Sequence, residues 1–244
     1  MTGASRGVGA RCAVLLARHG ARVALHWGRS REAAEAVARE CAESGGVEPL
    51  LVQASLEEPG ERRRLLREVE AALGPPLLLV LNAGVFERNP MGAGDDEGFL
   101  RRWRTTQAVN LEACAHLSSL ALPAMRRVRF GRIVLVSSRA AFRGETDCID
   151  YAVSKAGQVV LARSLARAEG AHGITANAVC PGWVETDMAA ADLAADRTRI
   201  EAEIPLGRVA TPDDVARAVL FFLSPLGSYV TGSALPVNGG SFMH

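Results

Sequence analysis

Tyr151 and Lys155 are the residues of this sequence whose types and spacing best suit proton transfer. They stand four positions apart in a stretch predicted to be helical, so both side chains project from one helix face. A phenol is a poor acid or base at neutral pH because its ordinary pKa is about 10. A cation held close favours the phenolate, so we expect Lys155 to lower the pKa of Tyr151. Ser138 follows the apolar run 133–136, a predicted buried strand, and its hydroxyl would face the same site.

A single Tyr-x-x-x-Lys pair is more often an exposed tyrosine and an exposed lysine on one helix, so the interpretation depends on the rest of the chain. The 244 residues suffice for one large α/β domain with a substantial core. A hydrophobic content of 48% and a formal net charge of +1 are typical of a soluble globular protein. They do not support a nucleic-acid binder or a disordered tail.

The sequence predicts neither membrane insertion nor a metal site. No apolar run approaches the roughly 20 residues that span a bilayer, and no stretch resembles a signal peptide. The cysteines are scattered without a Cys-x-x-Cys pair, which favours reduced thiols and a cytoplasmic location over disulfides or zinc. The five cysteines are Cys12, Cys41, Cys114, Cys148 and Cys180.

A glycine-rich turn near the start of the chain predicts an anion site. Gly3, Gly7 and Gly9 lie within residues 2–9, and an amphipathic helix follows at 10–20 with Gly20 at its end. Glycines let a pyrophosphate approach the backbone, and the first N–H groups of the helix point towards it. The turn alone is a weak indication, because a flexible terminus would have the same composition.

The predicted strand at 22–27 is followed by residues that favour NADP over NAD. Dinucleotide folds that prefer NAD usually end this strand with an acidic residue for the ribose 2′-hydroxyl, and none stands here. Arg6 in the glycine-rich turn, with Arg29 and Ser30 after the strand, would suit the 2′-phosphate of NADP. The alternative for both arginines is a solvated surface position.

Strands alternate with helices along the rest of the chain. Further strands are predicted at 49–53, 77–81, 133–136, 174–180 and 234–237. Helices are predicted at 30–44, 57–73, 99–125 and 211–223, the last with Thr211 as N-cap, Pro212 at its first position and an aspartate at its third. This alternation predicts an α/β fold, a doubly wound parallel sheet in a single domain spanning 1–244.

Two segments outside these elements are expected to determine substrate specificity. Residues 86–98 are predicted to be a loop. Residues 183–210 are too long for an ordinary connection and are predicted to form a lid over the substrate. Asn110 stands in the middle of the predicted helix 99–125, where an asparagine is usually exposed or bonded to a neighbouring turn.

Several short motifs follow one another in a specific order. They are Thr-Gly-x-x-x-Gly-x-Gly at 2–9, Asn-Ala-Gly at 82–84, Asn110, Ser138, Tyr-x-x-x-Lys at 151–155 and Pro-Gly at 181–182. Together they resemble the short-chain dehydrogenase/reductase family over the whole chain. Within that family the chain is most similar to bacterial 3-oxoacyl-[acyl-carrier-protein] reductases, through the stretches 2–7, 181–188 and 229–240.

The resemblance implies a role for each catalytic position. Tyr151 would donate a proton to the substrate carbonyl oxygen while NADPH delivers hydride to the carbon. Lys155 would lower the pKa of Tyr151 and hold the nicotinamide ribose. Ser138 would hydrogen-bond the substrate oxygen, and Asn110 would hold a water molecule of a proton relay.

The resemblance also implies the cofactor site. Gly3, Gly7 and Gly9 would surround the pyrophosphate, Asn82 would support the site, and Thr186 would meet the nicotinamide amide. The full predicted NADP(H) set is Gly3, Ser5, Arg6, Gly7, Gly9, Arg29, Ser30, Gln53, Asn82, Ala83, Gly84, Tyr151, Lys155, Pro181, Gly182 and Thr186.

The chain departs from the family pattern at several positions. Leu77 and Leu81 replace residues that are usually Asp and Asn, and Gln53 replaces an Asp or Asn near the adenine. Only Met1 precedes Thr2, so the usual first strand is missing and its two neighbours are expected to lose a ladder partner. We therefore expect the chain to begin further upstream, with a valine codon read as Met1. The alternative is a truncated chain with a damaged site.

The function implied by the resemblance is NADPH-dependent reduction of 3-oxoacyl thioesters of acyl carrier protein or CoA, as in fatty acid biosynthesis. The alternatives are an alcohol, sugar or steroid dehydrogenase on the same scaffold, or a non-catalytic nucleotide-binding relative. A homo-oligomer, a tetramer or dimer, is also implied. An arginine cluster could receive the acidic carrier protein, although a solvated helix end explains it equally well: Arg126, Arg127, Arg129 and Arg132.

Overall fold

The computed structural model describes residues 1–45 and 47–243, in which six strands alternate with helices. The strands are β1 (Ala24–Trp27), β2 (Leu50–Gln53), β3 (Leu78–Leu81), β4 (Gly131–Val136), β5 (Ile174–Pro181) and β6 (Ala234–Val237). The α-helices are α1 (Gly7–Arg18), α2 (Arg31–Glu43), α3 (Pro59–Leu73), α4 (Asp96–Gln107), α5 (Ala113–Val128), α6 (Ala140–Arg143), α7 (Ile149–Glu169), α8 (Ala190–Ala202) and α9 (Pro212–Leu223). Within these residues, no helix has an apolar stretch long enough to cross a membrane.

All strand pairings are parallel, and they form a β1–β2 pair and a sheet in the order β3–β4–β5–β6. Helices α1, α2 and α9 contribute to one hydrophobic cluster, and α3, α5 and α7 to another. Val134 and Val136 belong to the first cluster, whereas Ile133 and Leu135 belong to the second, because neighbouring strand residues face opposite sides of a sheet. The predicted doubly wound α/β fold is confirmed.

The first four residues lie between β1 and β3. The Thr2 N–H donates to the Val80 carbonyl at 3.0 Å, and the Ala4 N–H donates to the His26 carbonyl at 2.9 Å. The His26 N–H in turn donates to the Met1 carbonyl at 3.0 Å. The expectation that both neighbouring strands lose their partner is therefore wrong at these residues, because the backbone of Met1, Thr2 and Ala4 bonds to both sides.

The helix predicted at 99–125 begins earlier and is not α-helical throughout. The Asp95 carboxylate accepts the Gly98 N–H at 2.9 Å and caps α4, which begins three residues before the predicted helix. The predicted loop 86–98 therefore ends earlier, because α4 already begins at Asp96. A π-helix at Ala108–Glu112 joins α4 to α5. Apolar periodicity does not report a cap or a π-turn, which explains both differences.

The predicted C-terminal end of α1 and the predicted start of α9 are confirmed. Gly20 follows α1 with a φ of +79°, a conformation that glycine adopts without a steric penalty. At the start of α9 the Thr211 hydroxyl accepts the Asp214 N–H at 3.3 Å, and the Asp214 carboxylate accepts the Thr211 N–H at 2.8 Å. This reciprocal pair is a capping box, with proline at the first helical position.

The segment 183–210 contains α8 and a small apolar cluster of its own. Helix α8 is bent at Asp196, where φ is −157°. Val184 and Ala210 form a parallel bridge that joins the two ends of the segment. The cluster consists of Ala189, Leu193, Ile200, Ile204 and Val209, with Trp183 packed against it.

The arginine cluster near the end of α5 is less available than the sequence suggested. Arg132 is 9% exposed, and its guanidinium stacks on the ring of Phe130 at 4.4 Å. Arg126 is paired with the Glu169 carboxylate through its Nε at 2.8 Å. Arg132 is therefore excluded from a solvent-facing basic patch, because a strand position buries it.

Candidate active site

The predicted catalytic residues come from three elements that meet at the carboxyl edge of the sheet. Ser138 follows β4, Tyr151 and Lys155 lie on α7, and Asn110 lies in the π-helix. A Cβ placed on Gly84, just after β3, would lie 3.4 Å from the Asn110 Oδ1 and 3.6 Å from the Lys155 Nζ. The absence of a side chain at Gly84 therefore leaves space where these two groups converge.

Lys155 is buried between β4 and the rest of α7. Its Nζ donates to the Val136 carbonyl at 2.8 Å and to the Gln158 Oε1 at 3.4 Å. Burial lowers the pKa of Lys155 to about 8, with a smaller opposing effect from the nearby thiols of Cys114 and Cys180. The ammonium therefore carries its charge at neutral pH and loses it in mildly alkaline solution.

Tyr151 is half-buried, and burial raises its pKa to about 12, partly offset by a hydrogen bond with Ser138. The prediction of a lowered Tyr151 pKa is wrong for this arrangement. Desolvation of the phenolate dominates, and the Lys155 ammonium lies 5.5 Å from the Tyr151 ring centroid and donates to a backbone carbonyl. A phenol with this pKa is protonated at neutral pH, which is the form that donates a proton.

Asn110 is fully buried in the π-helix, which explains a mid-helix asparagine. Its Oδ1 accepts the Val85 N–H at 2.8 Å, and its Nδ2 donates to the Val85 carbonyl at 3.0 Å and to the Ser154 Oγ at 3.1 Å. The Gln158 amide donates to the backbone carbonyl of Asn110 at 2.6 Å. A π-turn frees backbone carbonyls from their regular helical partners, and such turns occur frequently at functional sites.

The glycine-rich turn packs directly against the residues after β3. A Cβ on Gly9 would lie 2.1 Å from the Gly3 carbonyl oxygen, and one on Gly3 would lie 2.8 Å from the Ala83 Cα. The Asn82 Nδ2 donates to the Gly3 carbonyl at 2.8 Å, and the Thr2 hydroxyl accepts the Asn82 and Ala83 N–H groups at 3.0 and 3.1 Å. Asn82 thus holds the turn at the sheet edge, and a half-buried Ser5 follows Gly3 and Ala4 within it.

His26 also supports this turn, a role that the sequence did not indicate. Its Nδ1 accepts the Gly3 N–H at 3.1 Å, and its Nε2 lies 3.1 Å from the Ala54 carbonyl, so the ring is neutral with the proton on Nε2. Burial lowers the pKa of His26 to about 4. Desolvation is the main cause, and protonation of Nδ1 would also remove the acceptor of the Gly3 N–H, whereas the bond to the Ala54 carbonyl opposes the shift.

The stability of the fold is expected to decrease in acid because of His26. Between its ordinary pKa of 6.5 and its folded value of about 4, the unfolded chain binds a proton that the folded chain excludes. The free energy of unfolding should therefore fall by about 1.6 kcal/mol from pH 6.5 to pH 5. Urea unfolding of the wild type and of His26→Asn at both pH values measures the part of this loss that His26 causes. The same pH dependence in both proteins would contradict the prediction.

Arg6 lies at the start of α1, and its side chain is exposed. Its Nη1 pairs with the Oδ2 of Asp187, the residue after Thr186, at 3.2 Å. As the N-cap residue of α1, Arg6 makes no side-chain capping bond, so the first N–H groups of the helix are not covered by it. The predicted phosphate-binding arginine is therefore placed beside an uncapped helix start.

Arg29, Ser30 and Gln53 lie at the carboxyl ends of β1 and β2, on the same edge as Arg6. The Ser30 hydroxyl caps α2 by accepting a backbone N–H at 3.3 Å. The Gln53 Nε2 donates to the Gly28 carbonyl at 3.0 Å. The structure thus brings these three predicted cofactor residues to one place, with Ser30 and Gln53 already engaged in local hydrogen bonds.

The base of the segment 183–210 reaches the glycine-rich turn. Pro181 ends β5, and a Cβ on Gly182 would lie 2.8 Å from the Asn238 Cβ, so the chain turns closely past the end of β6. The Thr186 methyl carbon lies 3.1 Å from the position of a Cβ on Gly7, whose φ is +55°. Thr186 therefore lies beside the start of α1, after the chain leaves the carboxyl edge of the sheet where the catalytic residues meet.

Sequence reasoning missed Asp150, the residue before Tyr151. Asp150 is fully buried and accepts hydrogen bonds from the Thr106 hydroxyl at 2.9 Å, the Tyr151 N–H at 2.9 Å and the Asn89 Nδ2 at 3.3 Å. The sequence showed only an acidic residue in the first turn of a predicted helix. Such a residue usually does no more than interact favourably with the helix dipole. Here the carboxylate joins α4 and the loop after β3 to the start of α7.

Arg139 was also missed, although it follows Ser138 directly. It is 5% exposed, donates to the Ser241 hydroxyl at 3.0 Å, and lies 5.5 Å from the centroid of the Trp183 ring. Burial and the neighbouring Arg143 lower the pKa of Arg139. The side chain fastens the C-terminal tail and the base of the segment 183–210 beside the catalytic serine.

The arrangement can donate a proton from Tyr151 to a carbonyl oxygen while a dinucleotide lies over the glycine-rich turn. In the part of the chain described, no group of three or more His, Cys, Asp or Glu side chains is placed to hold a metal ion. The acid, its hydrogen-bonding serine and a cation lie together beside an uncapped helix start.

Comparison with known proteins gives the same family over nearly the whole chain. A family model described as Enoyl-(Acyl carrier protein) reductase matches residues 3–241. The 3-oxoacyl-[acyl-carrier-protein] reductases of Pseudomonas aeruginosa and Escherichia coli K12 are each 35% identical over 243 residues, covering 100% of this chain and 96% of theirs. This confirms the resemblance found in the motifs.

A solved structure agrees with the sequence relatives. It is described as an NAD(P) dependent gluconate 5-dehydrogenase from Beutenbergia cavernae with bound NADP at low occupancy. Its TM-score is 0.89 at 38% sequence identity, covering 98% of this chain and 94% of that chain. Together with the Tyr151, Lys155 and Ser138 geometry, these matches establish that the chain belongs to the short-chain dehydrogenase/reductase family of oxidoreductases.

Proposed function

We propose that this protein is an NADPH-dependent carbonyl reductase whose substrates are 3-oxoacyl thioesters, which it converts to 3-hydroxyacyl thioesters. The observation that carries the proposal is the meeting of Tyr151, Ser138, Lys155 and Asn110 at one sheet edge beside the glycine-rich turn. The two 3-oxoacyl-[acyl-carrier-protein] reductases, matched over 96% of their length, support the thioester substrate. The bound NADP of the similar structure supports the cofactor.

The residues around the turn fit a dinucleotide. A Cβ on Gly9 or Gly3 would collide with backbone atoms, so the turn is as compact as a close approach of phosphate requires. The start of α1 offers N–H groups that the Arg6 side chain does not cap. An anion there gains both these donors and the positive end of the helix dipole.

In the proposed reaction NADPH, when bound, supplies the hydride that the carbonyl carbon accepts. Tyr151 donates its hydroxyl proton to the carbonyl oxygen, and Ser138 orients that oxygen by a hydrogen bond. Lys155, with a pKa of about 8, is charged at neutral pH and stabilises the phenolate that the proton transfer leaves. The water relay at Asn110 stays a prediction.

The cofactor preference is expected to depend on Arg29. A guanidinium bonded to the 2′-phosphate contributes about 1.5–3 kcal/mol, so Arg29→Ala should weaken NADPH binding about tenfold or more while NADH binding is unchanged. Fluorescence titration of both nucleotides measures this. Arg31→Ala is the matched control, because the Arg31 side chain on α2 is paired with Glu35 at 2.7 Å. A loss with Arg29→Ala that is equal for NADPH and NADH would refute the assignment.

The substrate is tested by following NADPH oxidation with the N-acetylcysteamine thioester of 3-oxobutanoate. A second candidate is oxidation of a sugar acid, favoured by the similarity to the gluconate 5-dehydrogenase structure at 38% identity. The same enzyme sample is therefore given gluconate and NADP. Reduction of the thioester without oxidation of gluconate supports the proposal, and the opposite result replaces it with the second candidate.

Further features of the proposal come from the resemblance to the family. We propose a homo-oligomer, a cytoplasmic location, an acyl carrier protein as partner, a single domain and a substrate lid at 183–210. Of the arginine cluster, Arg127 and Arg129 are exposed, whereas Arg132 is buried. Charge reversal at Arg127 and Arg129 should therefore affect the acyl-carrier-protein substrate more than its small thioester analogue.

A further inference from the structure

The segment from Val85 to Asn89 is held at both ends by buried amide side chains. At its start, the Asn110 amide bonds both the N–H and the carbonyl of Val85, at 2.8 and 3.0 Å. Asn110 is fully buried, so water cannot readily replace these bonds. The first residue of the segment is therefore held firmly against the π-helix.

The other end is held at Asn89, which is also fully buried. Its N–H donates to the Asp147 carbonyl at 2.6 Å, and its Nδ2 donates to the Asp150 carboxylate at 3.3 Å. Its Oδ1 accepts the Arg102 Nε at 3.0 Å. Because Asp150 also accepts the Tyr151 N–H at 2.9 Å, this end of the segment and the start of α7 share one carboxylate.

Phe86 lies between these two attachments and contacts Tyr151. The ring centroids are 5.1 Å apart with an interplanar angle of 89°, an edge-to-face pair. Phe86 is half-buried, so part of its ring remains open beside the phenol. The neighbouring Arg88 pairs with Asp147 at 2.9 Å and with Asp192 of α8 at 2.7 Å, which further limits movement of the segment.

A fixed apolar ring beside the acid restricts what the carbonyl compound can carry. The carbonyl oxygen must reach the Tyr151 hydroxyl, and the Phe86 ring lies 5.1 Å from the Tyr151 ring. We therefore expect one substituent of the carbonyl carbon to pass close to Phe86. An alkyl group there loses contact with water, which strengthens binding about fourfold per buried CH2 group. A hydroxylated chain would leave its hydroxyl groups without partners against the ring, at a cost.

We propose that Phe86 determines substrate specificity by selecting an alkyl substituent on the reacting carbonyl carbon, and that Asn110 and Asp150 position it through Val85 and Asn89. This inference rests on the proposed reductase function and narrows its substrate to carbonyl compounds with an extended alkyl chain. The Phe86 side chain would thus favour a 3-oxoacyl thioester over a polyhydroxylated sugar acid.

The test compares chain-length selectivity in the wild type and Phe86→Ser. The readout is the ratio of kcat/KM for 3-oxohexanoyl over 3-oxobutanoyl N-acetylcysteamine thioester, with 2-hexanone over 2-butanone as a second pair that lacks the thioester. Loss of the apolar contact with two CH2 groups should lower the ratio about tenfold in Phe86→Ser, mainly through KM. Phe86→Leu should restore most of the ratio. Phe221→Ala on the outer helix α9 is the matched control and should leave it unchanged.

The outcomes separate this inference from the proposed function. Reduction of the ketones but not of the thioesters refutes the thioester substrate and still tests Phe86 through the ketone ratio. An equal loss for both members of a pair in Phe86→Ser shows a merely structural role and overturns the inference. A wild type that reduces neither pair also overturns it, because an alkyl-selecting residue then has no substrate.

Discussion

Replacing Tyr151 with phenylalanine is expected to lower kcat/KM about a thousandfold. The phenol is protonated at neutral pH because burial raises its pKa to about 12, and phenylalanine retains the ring but has no proton to donate. The edge-to-face contact with Phe86 and the packing on α7 should survive the change. Steady-state assays of NADPH oxidation measure the loss, and fluorescence titration should show NADPH binding within about twofold of the wild type.

Tyr229 provides the matched control for this experiment. It is the second of the two tyrosines in the chain and is fully exposed, so Tyr229→Phe should leave turnover unchanged. A Tyr151→Phe protein with full activity would remove the proposed acid. The alternative of a non-catalytic nucleotide-binding relative predicts no turnover in the wild type and unchanged NADPH binding in the variant.

Replacing Gly9 with alanine is expected to weaken NADPH binding about a hundredfold and to destabilise the fold by about 1–3 kcal/mol. The added methyl group would lie 2.1 Å from the Gly3 carbonyl oxygen and 2.5 Å from the Asn82 Nδ2. Relief requires movement of the turn backbone, because a carbonyl oxygen cannot rotate away as a flexible side chain does. Nucleotide titration and urea unfolding of the same protein measure both effects.

Gly60→Ala is the control for the Gly9 variant. Gly60 lies in α3, and a Cβ placed on it would meet nothing within 4 Å beyond its chain neighbours and the backbone of its own helix, so alanine fits without strain. Alanine is also the better helix former, and the control should be at least as stable as the wild type. If Gly9→Ala bound NADPH as tightly as Gly60→Ala, the glycine-rich turn would not be the phosphate site.

The local sequence was sufficient to predict those features of the structure that depend on residues close together in the chain. The spacing of Tyr151 and Lys155 places both on α7, since residues four apart share a helix face. Thr211 and Asp214 cap α9 by bonds within one turn, and Gly20 ends α1 through its own backbone freedom. The continuous apolar runs of β3 and β4 also indicated strands buried on both faces, and the alternation of elements indicated their parallel order.

The sequence by itself therefore determined the α/β fold and the identity of the residues that could transfer a proton, whereas the tertiary structure decided their state. Burial raises the Tyr151 pKa against the effect expected from Lys155, because desolvation depends on everything packed around the phenol. The π-turn at Asn110, the neutral His26 beneath Gly3 and the shared carboxylate of Asp150 each depend on partners 23 to 44 positions away. Contacts over such separations leave no local periodicity, and only the folded chain shows which polar groups meet without water.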